Sequence, residues 1–344
     1  MSQAGESLHK GIGTGEARAT TCQCLVTLVF LLTVPSVARP QAAWTSELRP
    51  VDPYKISVNV SSVVLHATVE NHKGAPVSGL GKDDFQVYED GELQQIEYYS
   101  HEDIPVTVGL VLDNSGSMGP KRDEVIAAAL AFARSSNPQD QMFVVNFNEH
   151  VTFGLPADTP FTDQTTQLLG ALSKFKTTGE TALYDALAAA LEHLKKGNRD
   201  KKVLIVVSDG GDNASQYKLS QILALAGKSD AIIYTIGIYT DEDPDQNPSA
   251  LRQLSKATGG EAFFPQTIPD VVPICERIAH DIREQYTLAY APLNRKQDGA
   301  YRVIQVKATA SGHGRLSVRT RAGYYAPSKP QPLAPTAGSP SNRP

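Results

Sequence analysis

A chain of 344 residues has room for one large domain and a smaller one, because single domains usually take roughly 100 to 200 residues. Its formal charge of -5 is modest for that length, and its Lys and Arg residues are scattered without aromatic interleaving, which excludes a basic nucleic-acid footprint. Two of the three cysteines, Cys22 and Cys24, stand ahead of the first apolar run, so the chain beyond that run holds only Cys275 and forms no internal disulfide.

The N-terminus has the layout of an export signal. Basic Lys10 and Arg18 precede the apolar run Leu25 to Val34, which gives way to small residues at Ser36 and Ala38. The run is shorter than the roughly 20 apolar residues that cross a bilayer. Cleavage after Ala38, Ala42 or Ala43 leads to a secreted or periplasmic protein, with an uncleaved membrane anchor as the other reading.

Residues 55 to 100 alternate with period two, through Val58 and Val60 and then Val63, Leu65, Ala67 and Val69, which predicts β-strands. A hairpin is expected over Phe85 to Tyr99, with Asp90-Gly91 as a two-residue turn between Val87 or Tyr88 and Ile96 or Tyr98.

From Val106 apolar strands alternate with amphipathic helices, the pattern of a mostly parallel sheet covered on both faces. The expected strands are Val106 to Leu112, Met142 to Phe147, Val203 to Val207, Ile232 to Ile236 and Ala262 to Phe264, with Val151 to Phe153 as an antiparallel edge. A helix is expected to open at Pro120 with Val125, Ala129 and Phe132 on one face. Further helices fit Leu183 to Leu194, Lys218 to Gly227, Ser249 to Ala257 and Asp270 to Glu284; Cys275 lies at helical spacing with Val271, Ile278 and Ile282 and reads as a buried thiol. The fold class is therefore α/β, doubly wound. Beyond it Tyr286 to Tyr290, Arg302 to Thr309 and Arg315 to Thr320 alternate again, and these strands are expected to pair with the N-terminal ones in a small β-sandwich.

The chemistry concentrates in two loops. Asp113-Asn114-Ser115-Gly116-Ser117-Met118 follows the first strand of the α/β region, and open α/β sheets bind ligands at such carboxyl ends. One carboxylate and two hydroxyls at alternate positions share a face and make a hard oxygen cluster, suited to Mg²⁺ or Ca²⁺ and not to zinc. Ser208-Asp209-Gly210-Gly211-Asp212 ends another strand and faces Asp209 toward that cluster. Taken alone, Asp113 to Ser117 would read more readily as a helix cap.

This arrangement resembles the von Willebrand factor A fold, whose metal-ion-dependent adhesion site has the form Asp-x-Ser-x-Ser, a Thr from a middle loop and an Asp from a later strand end. Asp113, Ser115 and Ser117 match the first part, Thr181 the middle loop with Thr178 as its competitor, and Asp209 the last. The likeness spans about Val106 to Glu284. Leu80 to Phe85, Glu89-Asp90-Gly91 and Arg319 to Tyr325 resemble a bacterial group of exported proteins related to it. The resemblance implies a non-catalytic adhesion module. Its Mg²⁺, Ca²⁺ or Mn²⁺ ion would complete its shell with a Glu or Asp carboxylate of a protein partner, and association with the cell envelope is compatible with this reading. No small-molecule substrate is expected.

The expected division is a signal over 1–43, a β segment over 44–103, the A domain over 104–284, a C-terminal β segment over 285–326 and a Pro- and Ser-rich tail over 327–344. A structural metal with the sandwich as the binding part is an alternative. A phosphohydrolase using Asp113 is disfavoured, because that chemistry wants a second acid where Ser115 stands, and no Gly-x-Ser-x-Gly elbow or phosphate loop occurs. Asp212 reads as a loop-capping or water-holding acid, Glu180 and Asp185 as flanking acids. Asp241, Glu242, Asp243 and Asp245 read as a solvated acidic loop. His150, His193 and His280 lack metal spacing and read as surface histidines.

Overall fold

The computed structural model describes residues 62–173, 176–239 and 245–328. The expected signal, the strand positions Val58 and Val60, the acids 241–243 and the tail from 329 lie outside the described residues.

Among the described residues three sheets form. The central one has the order β10-β9-β8-β5-β6-β7, built from β5 (Val106–Asp113), β6 (Gln141–Phe147), β7 (Val151–Phe153), β8 (Lys201–Ser208), β9 (Ala231–Gly237) and β10 (Ala262–Phe263). All of its pairings are parallel except β6 with β7, the antiparallel edge. β5 is buried at every position, as befits a strand covered on both faces. The helices are α1 (Arg122–Ser135), α2 (Thr165–Ser173), α3 (Leu183–Leu194), α4 (Leu219–Lys228), α5 (Pro248–Thr258) and α6 (Val271–Arg283). Their apolar stripes reach the core where expected: Val125, Ala129 and Phe132 on α1, Leu183, Leu187, Ala190, Leu191 and Leu194 on α3, and Cys275 with Ile278 and Ile282 on α6. The chain runs from β5 to β6 on one side and returns to β8 on the other, so β5 and β8 flank the switch point of the sheet.

The remaining strands are β1 (Val63–Glu70), β2 (Phe85–Glu89), β3 (Glu92–Gln94), β4 (Ile96–Ser100), β11 (Tyr286–Tyr290), β12 (Tyr301–Ala308), β13 (Ser317–Arg319) and β14 (Gly323–Tyr325). They make two antiparallel sheets, β13-β1-β11-β4 and β14-β12-β2-β3. Val63, Leu65, Ala67 and Val69 of β1 meet Phe85, Val87, Leu288, Ile304 and Val306 in one apolar cluster between these sheets. Buried Glu89 of β2 accepts hydrogen bonds from Tyr290 Oη at 2.7 Å and Tyr324 Oη at 3.1 Å, so its carboxylate is partnered across the sandwich.

Several details differ from the sequence reading. Asp90 and Gly91 do form the turn, with φ of 49° and 89°, but Val87 and Tyr88 pair with Gln94 and Leu93. Ile96 to Ser100 crosses to the other sheet and pairs with β11, because Ile96 is drawn into the core between the sheets. The first helix is preceded by a 3-10 turn over Gly116–Lys121 that contains Pro120. A helix that periodicity passed over, α2, buries Leu168, Ala171 and Leu172. Finally, His193 is buried among Phe143, Phe153 and Phe161 and bonds Pro160 O at 3.0 Å, whereas His150 and His280 are exposed.

Candidate metal centre

Asp113 is the last residue of β5 and Asp209 follows β8 directly, so adjacent parallel strands bring both carboxylates to one end of the sheet. The loop after β5 turns back on its own aspartate: Ser115 N donates to Asp113 Oδ1 at 2.8 Å. Ser208 Oγ, from the end of β8, donates to Asp113 Oδ2 at 2.6 Å. Ser117 Oγ donates to Asp209 Oδ2 at 2.8 Å and lies 3.2 Å from Ser115 Oγ. Asp113, Ser115, Ser117 and Asp209 thus form one continuous oxygen cluster, buried apart from a half-buried Ser117.

Thr181 comes from the loop before α3, and its hydroxyl makes no hydrogen bond to the other four among the described residues. Its main chain is nevertheless fastened to the Asp209 loop. Thr181 N donates to Asn213 Oδ1 at 2.8 Å, and Thr181 O accepts from Asn213 N and Ala214 N at 3.0 Å each. The same loop meets the first through Gly116 N to Gly179 O at 3.1 Å and Thr178 N to Asn114 O at 2.9 Å. Thr181 is buried and Thr178 exposed, so of the two candidates Thr181 lies on the interior side. Gly179 has φ of 83° and a Cβ there would meet Glu149 Oε2 at 1.7 Å. Gly210 has φ of 80°, and its Cβ would meet Asn247 O at 2.6 Å, so the backbone after Asp209 admits little but glycine.

Sequence reasoning missed several residues of this framework. Ser208, buried at the end of β8, neutralises one lone pair of Asp113. Asn114 Nδ2 donates to Asn146 Oδ1 at 3.0 Å, and Asn148 Nδ2 to Thr178 O at 3.0 Å, so a ladder of asparagines ties the loops after β5 and β6 to the middle loop. Their only sequence signal is polarity at the end of an apolar strand. The flanking acids serve the loops: Asp212 Oδ2 accepts from Tyr184 N and Ser215 Oγ, and Asp185 from Gln216 N and Tyr217 N.

Residues 107–272 match the model of the von Willebrand factor type A domain. This part of the chain is a von Willebrand factor type A domain. Domains of this family generally mediate protein–protein interaction and adhesion, are typically not enzymes, and often bind a divalent metal. Among solved structures the chain is similar to the conserved hypothetical protein BatB from Bacteroides thetaiotaomicron (15% identity over 51% of this chain and 98% of that one, TM-score 0.41). It is also similar to a von Willebrand factor type A protein from Catenulispora acidiphila (14%, 78% and 76%, TM-score 0.48). A third is proximal thread matrix protein 1 from the mussel byssus with a zinc-occupied MIDAS motif (18%, 56% and 49%, TM-score 0.46). No curated protein matches the chain. Among the described residues of this protein, no helix is long and apolar enough to cross a membrane.

The donor chemistry of the A-domain cluster fits a hard dication. Its side chains are carboxylates and hydroxyls, the oxygen donors that such ions take. Burial pushes the Asp113 carboxyl up to about 6, with the nearby Asp209 charge adding to the shift against the hydrogen bonds from Ser115 and Ser208. A carboxylate this costly to ionise is one that a neighbouring cation would hold in its charged form.

Proposed function

We propose that this A domain is a non-catalytic, divalent-cation-dependent protein-binding module acting outside the cytoplasm. Asp113, Ser115, Ser117, Thr181 and Asp209 would hold the ion, Mg²⁺ or else Ca²⁺ or Mn²⁺. The observation that carries this reading is the buried cluster of Asp113, Ser115, Ser117 and Asp209 oxygens at the mouths of β5 and β8. A bound dication would offset the two aspartate charges and offer an open coordination position to a carboxylate of the partner.

The chain's own residues do the positioning. The main-chain bonds that join the Gly116, Thr181 and Asn213 loops fix the spacing of the hydroxyls, and Ser208 orients Asp113 from below. Because those loops are already hydrogen-bonded to one another, a purely structural metal has little left to hold together, which favours recognition over scaffolding. Action outside the cytoplasm rests on the expected export signal over residues 1–43, and the module on a domain spanning 104–284.

Titration calorimetry with Mg²⁺ on the protein and on Asp113→Ala and Asp209→Ala tests the reading. One dication bound by the wild type and none by either variant is expected. A wild type indifferent to Mg²⁺, Ca²⁺ and Mn²⁺ alike would leave the five residues as loop caps and end this interpretation.

A further inference from the structure

On the far side of the molecule's second core, β1 is only half covered. Along one edge it pairs with β11 over Val63 to Ala67, and along the other β13 covers only Thr68 to Glu70. After Thr320, whose Oγ1 donates to His66 O at 2.8 Å, the chain leaves for the other sheet as β14. Backbone groups of an antiparallel strand turn to alternate sides. Val69 O is taken by Val77 N on the β11 side, so Val64, His66, Thr68 and Glu70 face the β13 side. Thr68 and Glu70 meet β13, whereas Val64 presents its N–H and C=O, and His66 its N–H, to an edge that no strand among the described residues covers.

At Val64 and His66 that edge borders a smaller cavity of about 230 Å³ that holds Asp200, Asp230 and Arg321, and past Val64 it opens into one of about 410 Å³ bounded by the 291–297 loop, the end of α4 and Tyr324 to Pro327. Its charge is one-sided. Arg321 is matched there, its Nη1 bonding Asp230 Oδ1 at 2.8 Å and its Nη2 bonding Gly227 O and Ser229 O. Lys228, Arg295 and Lys296 also line it, are exposed, and make no ion pair among the described residues; Lys228 stands 5.6 Å from the centre of the Tyr325 ring. Three uncompensated cations beside an unpaired strand edge, over a floor of Val64, Pro292 and Tyr324, are suited to a ligand that is extended, apolar on one face and anionic.

We propose that this groove takes an extended acidic segment of a partner protein as an added strand on β1, independently of the metal centre. Residues 44–61 and 329–344 hold no acidic run of this kind. Residues 329–344 contain Lys329 and Arg343, no acid, and prolines at 330, 332, 335, 340 and 344, while in residues 44–61 Glu47 and Asp52 are balanced by Arg49 and Lys55.

The test is fluorescence polarisation with a labelled acidic pentapeptide of alternating carboxylate and valine residues, and with its lysine counterpart, in excess EDTA so that the metal centre cannot contribute. Only the acidic peptide is expected to bind, more weakly as salt rises. Lys228→Glu with Arg295→Glu and Lys296→Glu is expected to weaken it at least tenfold, and N-methylation of the peptide amides that face β1 to do the same. The three side chains are exposed, so an unchanged melting temperature and an unchanged Mg²⁺ response control for folding. Equal binding of both peptides, indifference to charge reversal, or no binding at millimolar peptide because the groove is already filled would each overturn the proposal.

Discussion

Asp113 carries a tension between stability and function that a single atom exchange exposes. With its folded value near 6 against an ordinary 3.8, the native state holds this proton more tightly than the unfolded chain. The contribution is therefore fully favourable below about pH 4 and is lost as pH rises through 6, a loss of about 3 kcal/mol at neutral pH. Asp113→Asn has no such titration. In EDTA it should be more stable than the wild type at pH 7 and level with it near pH 4, while losing all stabilisation by Mg²⁺. Urea unfolding at the two pH values measures the gap, and a gap of the same size at both would sink the account. Asp113, Ser115 and Ser117 were legible in the sequence because they are neighbours in one short loop. Thr181 was reached only through a family resemblance, since nothing local distinguishes it from Thr178. Ser208 was invisible because its partner is Asp113, 95 residues away. His193 was misread as a surface residue because it lies at the margin of the α3 stripe, and the Phe143, Phe153 and Phe161 rings that enclose it come from other elements.

At the scale of elements, regular α/β periodicity carried β5, β6, β8 and β9 and the longer helices, because a buried parallel strand must be apolar throughout and a covering helix must show one apolar face. The β2 to β4 region was less legible, since alternation marks a strand without naming its partner. α2 was missed because it is short and holds Gly170 in its middle. The join between α6 and the sandwich was not legible at all. There Arg319 Nη2 of β13 reaches Asp281 Oδ2 of α6 at 2.9 Å, Glu261 Oε2 at 3.2 Å and Glu70 Oε1 at 3.5 Å. Asp281 is buried and also accepts from Tyr234 Oη at 2.6 Å. Arg319→Met strands that carboxylate and is expected to cost roughly 3–5 kcal/mol. Adding Asp281→Asn removes the unpaired charge and should recover part of the loss. A double-mutant cycle by chemical denaturation reads the coupling, and strict additivity of the two changes would refute a shared network.

Across the whole molecule, the A domain and the sandwich are separated by no linker. α6 ends at Arg283 and β11 begins at Tyr286, while Arg283 Nε bonds Asp103 Oδ2 at 2.7 Å and His101 Nε2 lies 3.1 Å from Glu284 O. Buried Lys201, at the start of β8, donates through Nζ to Ile282 O, so the central sheet and the exit of the chain into the sandwich hold each other. Domains that move or unfold independently are joined by exposed segments crossed by few contacts, which is the opposite arrangement. The protein should accordingly unfold in one calorimetric transition. Leu288→Ala, a fully buried change in the middle of the sandwich and far in sequence from β5, tests the point, with an expected loss of about 2–5 kcal/mol. Native-state hydrogen exchange then decides between coupled and separate unfolding. If the amides of β5 and β8 lose protection by the same free energy as those of β1 and β11, the two layers are one cooperative unit; if β5 and β8 keep their wild-type protection, the sandwich opens alone and the coupling through Lys201, Arg283 and Arg319 is too weak to matter.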